Sequence, residues 1–151
     1  MNNGFQNSLD QKEVGEAGGR VVFCLNNHLL YEDEQYRAEV PLHFFHDQSS
    51  VPRVPIIFFL YGDKAHRGGV LHDYFYRKGA RVYDKIAKEW IENPSREFAD
   101  MMFKRANIAS GYGKVVYIGM WAGVRIGGRS SYHAMAVDDC FALDVVYEEA
   151  A

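Results

Sequence analysis

The chain has little of what would assign it quickly. It holds two cysteines in 151 residues. Cys24 and Cys140 stand far apart and form no CxxC pair, so the sequence reads both as buried thiols of a reducing compartment rather than a disulfide framework. An excess of one charge sign is also missing. A formal net charge of −3 and a pI near 6.1 give no global attraction to phosphate backbones, which argues against nucleic-acid binding as the main role. No apolar run approaches the roughly 18 residues of a membrane span. The run Ile56 to Tyr61 reads as buried core, with an apolar rim touching a partner or lipid as its other use. The first residues lack the basic start and apolar stretch of a secretory signal, so the expectation is a chain made soluble in the cytoplasm. HExxH and HxH spacings are absent, which argues against a zinc site built from local histidine pairs. Asp138, Asp139 and Asp144 lack the DxDxDG pattern of a calcium loop and read as solvated surface.

What is present is enough apolar material for a packed domain: 48% hydrophobic and 15% aromatic residues lie far from a disordered composition. Residues 1–19 are polar and aperiodic and read as a flexible N-terminal arm, 20–130 as a single globular domain, and 131–151 as a C-terminal tail or docking segment. Val21 to Leu25, Asn26-Asn27 and His28 to Tyr31 suggest a β-hairpin, and Tyr36 to Phe45 a further strand that Pro41 confines to an edge or an end. His46 to Pro55 is a shaped loop with two prolines. A long helix is expected from Lys64 to Lys78, ended by Gly79 in the left-handed region. Val82, Ile86 and Trp90 suggest a short amphipathic helix over 82–91. Asn93-Pro94 supplies a cap for a helix over 95–109, on which Arg96, Asp100 and Phe103 share one face. Gly119, Gly123 and Gly127 stand four apart and would line one side of a further helix for a packing reason. These elements imply an α+β fold, a small antiparallel β-sheet packed beside a helical body with a central antiparallel helix pair.

The chemistry concentrates in Val70-Leu71-His72-Asp73-Tyr74-Phe75-Tyr76. On a helix His72 and Tyr76 face the same way while Asp73 points about 100° round, so His72 and Asp73 each need another partner. Asp100 on the following helix is placed to fix the His72 tautomer, with Tyr76 donating to the same carboxylate. A histidine held this way can act as general base on water. Asp73 is then available to a cation, or to Arg53 or Arg96, and Asp47 is a further binding candidate in the preceding loop. The same residues would equally make a buried network that only knits two helices to a loop.

The order Val40-Pro41, Phe45, Asp47, Ser50-Val51-Pro52-Arg53, then Val70-Leu71-His72-Asp73 with Tyr76, then Ser95-Arg96, Ala99-Asp100 and Phe103, resembles a family of unknown function found largely in tailed bacteriophages and prophages. That family reads VPxGFxTDxASVPR, VLHDxLY and SRxxADxxF, and the resemblance covers about residues 20 to 130. This chain carries His43 where the family has glycine and His46 where it has threonine, and it inserts 78–93 between the two helices. The HDxxY…D arrangement is also similar to secretory phospholipases A-two. That similarity implies His72 as base, Asp100 as its orienter, Tyr76 beside them and Asp73 on calcium; the glycine-rich calcium loop and the disulfides are missing.

Two functions follow as expectations. One is a phage-encoded virion protein of the tail or its tip, docking on other particle proteins or on itself and passing from the host cytoplasm into the particle. The other is a calcium-assisted hydrolase of lipid or cell-envelope esters with His72 as general base.

Overall fold

A computed structural model describes residues 3–17, 20–46, 66–127 and 132–133. Eight strands and three helices among them make an α+β fold. The strands are β1 (Gly4–Phe5), β2 (Gln11–Ala17), β3 (Arg20–Leu25), β4 (Leu29–Glu32), β5 (Tyr36–Val40), β6 (Phe45–His46), β7 (Arg81–Asp84) and β8 (Glu89–Glu92). The helices are α1 (His66–Phe75), α2 (Arg96–Ala109) and α3 (Lys114–Gly127). A five-stranded sheet runs β1-β4-β5-β7-β8 and a three-stranded sheet β2-β3-β6, every pair antiparallel.

Strand β5 shows why the larger sheet has one wet face. Tyr36, Ala38 and Val40 are buried while Arg37 and Glu39 between them are exposed, the period-two alternation of a sheet packed on one side. The buried side meets the helices in a core that includes Leu29, Tyr31, Val40, Phe44, Leu71, Phe75 and Met102. A smaller cluster of Phe103, Met120 and Val124, with Val116 against it, seats α3 on α2.

Five local expectations are corrected. The segment before Arg20, read as a flexible arm, supplies β1 and β2, which pair with strands distant in sequence. The strands on either side of Asn26-Asn27 form, but not as a hairpin. β3 is taken by β2 and β6, and β4 by β5 and β1. The helix expected over 82–91 is the hairpin β7–β8, with Val82 opposite Ile91 and Tyr83 opposite Trp90. There the Asp84 carboxylate accepts from the backbone N–H groups of Ile86 and Ala87 at 2.9 and 3.0 Å, and Lys88 turns with φ 59°. That local capping favours the turn over a helix. Helix α2 is capped by Ser95, whose hydroxyl accepts from Phe98 N, and not by Asn93. Asn93 instead turns with φ 47° and accepts from Gly79 N at 2.7 Å. Helix α1 stops at Phe75, short of Lys78, although Gly79 does adopt the left-handed φ of 88°. Lys64, the Ile56 to Tyr61 run and Cys140 lie outside the described residues, as does most of the C-terminal segment.

Candidate functional site

The antiparallel pair α1–α2 holds the site. Arg96, Asp100, Phe103 and Asn107 recur along α2 at spacings of three and four, which sets them on one face. Asp100, Phe103 and Asn107 are buried there, and Asp100 is fully enclosed. His72 enters from α1 with its imidazole 4.1 Å from the Tyr76 ring and 4.9 Å from Phe103, centroid to centroid. Its Nε2 lies 2.6 Å from Asp100 Oδ1, and Tyr76 Oη donates to the same oxygen at 2.6 Å. The other oxygen, Oδ2, accepts from Arg125 Nη1 at 2.9 Å, with Arg96 Nε 4.0 Å away.

Burial works to raise the Asp100 carboxyl. The hydrogen bonds from His72 and Tyr76, the His72 charge and the Arg125 bond together outweigh it and hold the group below the usual carboxylate range. Burial, then the bond to Asp100 and its negative charge, push the Tyr76 phenol up, so it stays a donor. Since an ionised Asp100 only accepts, Nε2 is the donor to it, and whenever the imidazole is neutral Nδ1 holds the lone pair. That Nδ1 is buried and has no hydrogen-bond partner among the described residues.

Asp73, one position on, faces the other way. Its Oδ2 lies 4.0 Å from His46 Nδ1, while His46 Nε2 meets Gln11 Oε1 at 2.7 Å and the ring stacks against Phe23 and Phe44. Among the described residues no group of three His, Cys, Asp or Glu side chains is placed to hold a metal ion. Among the described residues, His46 is the ionisable side chain that Asp73 approaches. Arg96 is not turned to Asp73. Its Nη2 donates to the carbonyls of Val124 and Arg125, in the last turn of α3. Asp47 and Arg53 lie outside the described residues.

The structure thus joins His72, Tyr76, Asp100 and Arg96, and it adds three things the sequence reading missed. Arg125 closes the network from α3, where it is the single cation within the run from Val115 to Gly127; that isolation was the available signal. The His46–Asp73 approach joins the smaller sheet to α1 across 27 positions and leaves no local pattern. Tyr132 and His133 fold back on the site: the Tyr132 ring meets Tyr76 edge-on at 5.4 Å, its hydroxyl donates to Pro94 O, and His133 N donates to Tyr76 O at 2.8 Å.

A family model matches residues 23–124, the span that carries β4, β5, the helix pair and Arg96 to Asp100. The chain belongs to the family described as protein of unknown function, DUF1353. The DUF1353 span contains His72, Tyr76 and Asp100 but ends one residue before Arg125. No curated protein and no solved structure matches the chain. No helix among the described residues is long and apolar enough to cross a membrane.

Proposed function

We propose that the protein is a hydrolase of lipid or cell-envelope esters in which His72 is the general base and Asp100 its orienting carboxylate. The observation that supports this reading is the unpaired Nδ1. A buried acceptor left without a partner costs about 1–3 kcal/mol, and a network built only to join two helices would gain by satisfying it. In the reaction, Nδ1 takes a proton from water as its oxygen attacks the ester carbonyl. Asp100 stabilises the imidazolium through Nε2–H, and the proton then passes to the departing alkoxide. Arg125 and Tyr76 keep the carboxylate ionised and fixed.

His72 and Asp73 are only 1% and 3% exposed, so the reading requires the site to open to substrate. The test uses phospholipid vesicles, with and without calcium, comparing wild type with His72→Ala. General-base removal should lower the rate by about 10²–10⁴; equal hydrolysis by the two proteins sinks the proposal.

A second reading, a docking component of a phage particle, is supported by α3. That helix turns Val116, Met120 and Val124 inward, yet Val115 and Ile126 on its other side are 83% and 86% exposed. An apolar stripe left in water marks a contact surface. Purified particles lacking the chain would contradict this reading. If the site is only a latch, His72→Ala lowers stability and leaves particle assembly intact.

A further inference from the structure

The outward face of the five-stranded sheet carries a separate constellation. Opposite residues of antiparallel strands share a face. The registers Glu32 with Arg37, Arg37 with Tyr83 and Tyr83 with Trp90 therefore draw these residues into one row across β4, β5, β7 and β8. Trp90 stands 49% exposed on the edge strand, yet it is held in place. The Tyr83 ring lies 5.3 Å from it, and the Arg81 guanidinium sits 4.4 Å from its centroid. Beneath, Arg81 N donates to Tyr74 Oη at 3.1 Å, which fixes the strand. Two hollows flank the indole, about 110 Å³ on the side of Arg37 and about 310 Å³ on the side of Arg81, and Glu39 lines both together with Trp90.

We propose that this face binds an oligosaccharide built of hexopyranose rings. A pyranose presents a flat face of C–H groups and a rim of hydroxyls that both donate and accept. The chemistry that matches it is a fixed aromatic surface bordered by charged groups of both kinds. Here the indole supplies the surface on the side away from Arg81, the Glu39 carboxylate, one oxygen of which meets His28 Nδ1 at 3.1 Å, accepts with its other oxygen, and the guanidinium groups of Arg37 and Arg81 donate. A carboxylate shared by both hollows disfavours phosphate groups, which would meet Glu39 as a like charge. Hollows on both sides of one indole suit consecutive rings of a chain better than a single sugar.

Trp121 is the only other tryptophan, so the Trp121→Phe protein reports Trp90 emission alone. It would be titrated to about 10 mM, a range that still detects weak binding, with the tetramers of β-1,4-linked N-acetylglucosamine, β-1,4-linked glucose and α-1,4-linked glucose. The expected result is a saturable emission shift with at least one tetramer. In calorimetry on the full chain, Trp90→Ala and Glu39→Gln should each weaken that tetramer at least about ten-fold, while His72→Ala binds as wild type does. The proposal is overturned if no tetramer shifts the emission or if both variants bind within two-fold of wild type. It is also overturned if sedimentation shows a dimer that Trp90→Ala dissociates, since the face would then be a protein interface.

Discussion

Replacing Asp100 by asparagine keeps the shape of the site and removes its charge, so the cost can be worked from the contacts. Oδ1 can still accept from His72 and Tyr76, which both approach it at 2.6 Å. These bonds fall from charge-assisted to neutral strength, a loss of about 1 kcal/mol each. The new amide then points its N–H groups at Arg125, which had donated to Oδ2 at 2.9 Å. Arg125 is 29% exposed and can turn to water, so its loss adds little. The sum is about 2 kcal/mol; Asp100→Ala, which strands every donor, should cost about 3–5 kcal/mol. Urea unfolding at pH 7 measures both, with the slope checked for constancy. The pH dependence sharpens the test. Because the folded Asp100 is held below its ordinary value of 3.8, its contribution is complete well above that value and is lost as pH falls through the folded one. The gap between wild type and Asp100→Asn should therefore close in acid. A loss under about 1 kcal/mol at pH 7, or a gap that widens below pH 4, would refute the reasoning.

Three further outcomes are expected. His43 is exposed and turns with φ 66°, a conformation that glycine adopts without steric cost, so His43→Gly should raise stability by about 0.5–1 kcal/mol in thermal or urea melts. A Cβ on Gly68 would stand 2.8 Å from Asn107 Oδ1, an amide buried without hydrogen-bond partners among the described residues. Gly68→Ala should therefore destabilise by about 1–2 kcal/mol, and adding Asn107→Ala should recover most of it. Arg105 Nε donates to the buried Asp33 at 2.9 Å and its guanidinium covers Tyr36 at 5.1 Å. Arg105→Ala should cost about 1–2 kcal/mol, while Arg105→Lys, which keeps charge but not the planar stack, recovers less than half in the same melts.

Legibility followed the range of the interaction. The helix pair was readable because His72 and Tyr76, and Arg96, Asp100 and Phe103, recur at helical spacing, and one face of each helix must then meet the other. The β7–β8 hairpin was not, because Val82, Ile86 and Trp90 fit a helical period by chance; Ile86 proves 72% exposed at the turn. The better signal was Asp84, two and three residues ahead of the N–H groups it caps. Asn26-Asn27 marked a real reversal but could not show that its flanking strands join different sheets, because their partners lie elsewhere in the chain. β1 and β2 escaped for a related reason: short strands rich in polar residues and glycine have little pattern of their own and are ordered by β4 and β3. Arg125 and His46 reach the site through tertiary packing alone.

The central claim is that His72 Nδ1 acts on water under the control of Asp100, and the most direct measurement is fatty-acid release from phosphatidylglycerol vesicles by wild type, His72→Ala and Asp100→Asn, each first shown to be folded. The account predicts release by wild type, a fall of about 10²–10⁴ in His72→Ala, and an intermediate loss in Asp100→Asn, with calcium changing none of the ratios. Release that is the same in all three folded proteins, or absent from wild type on vesicles, would contradict it.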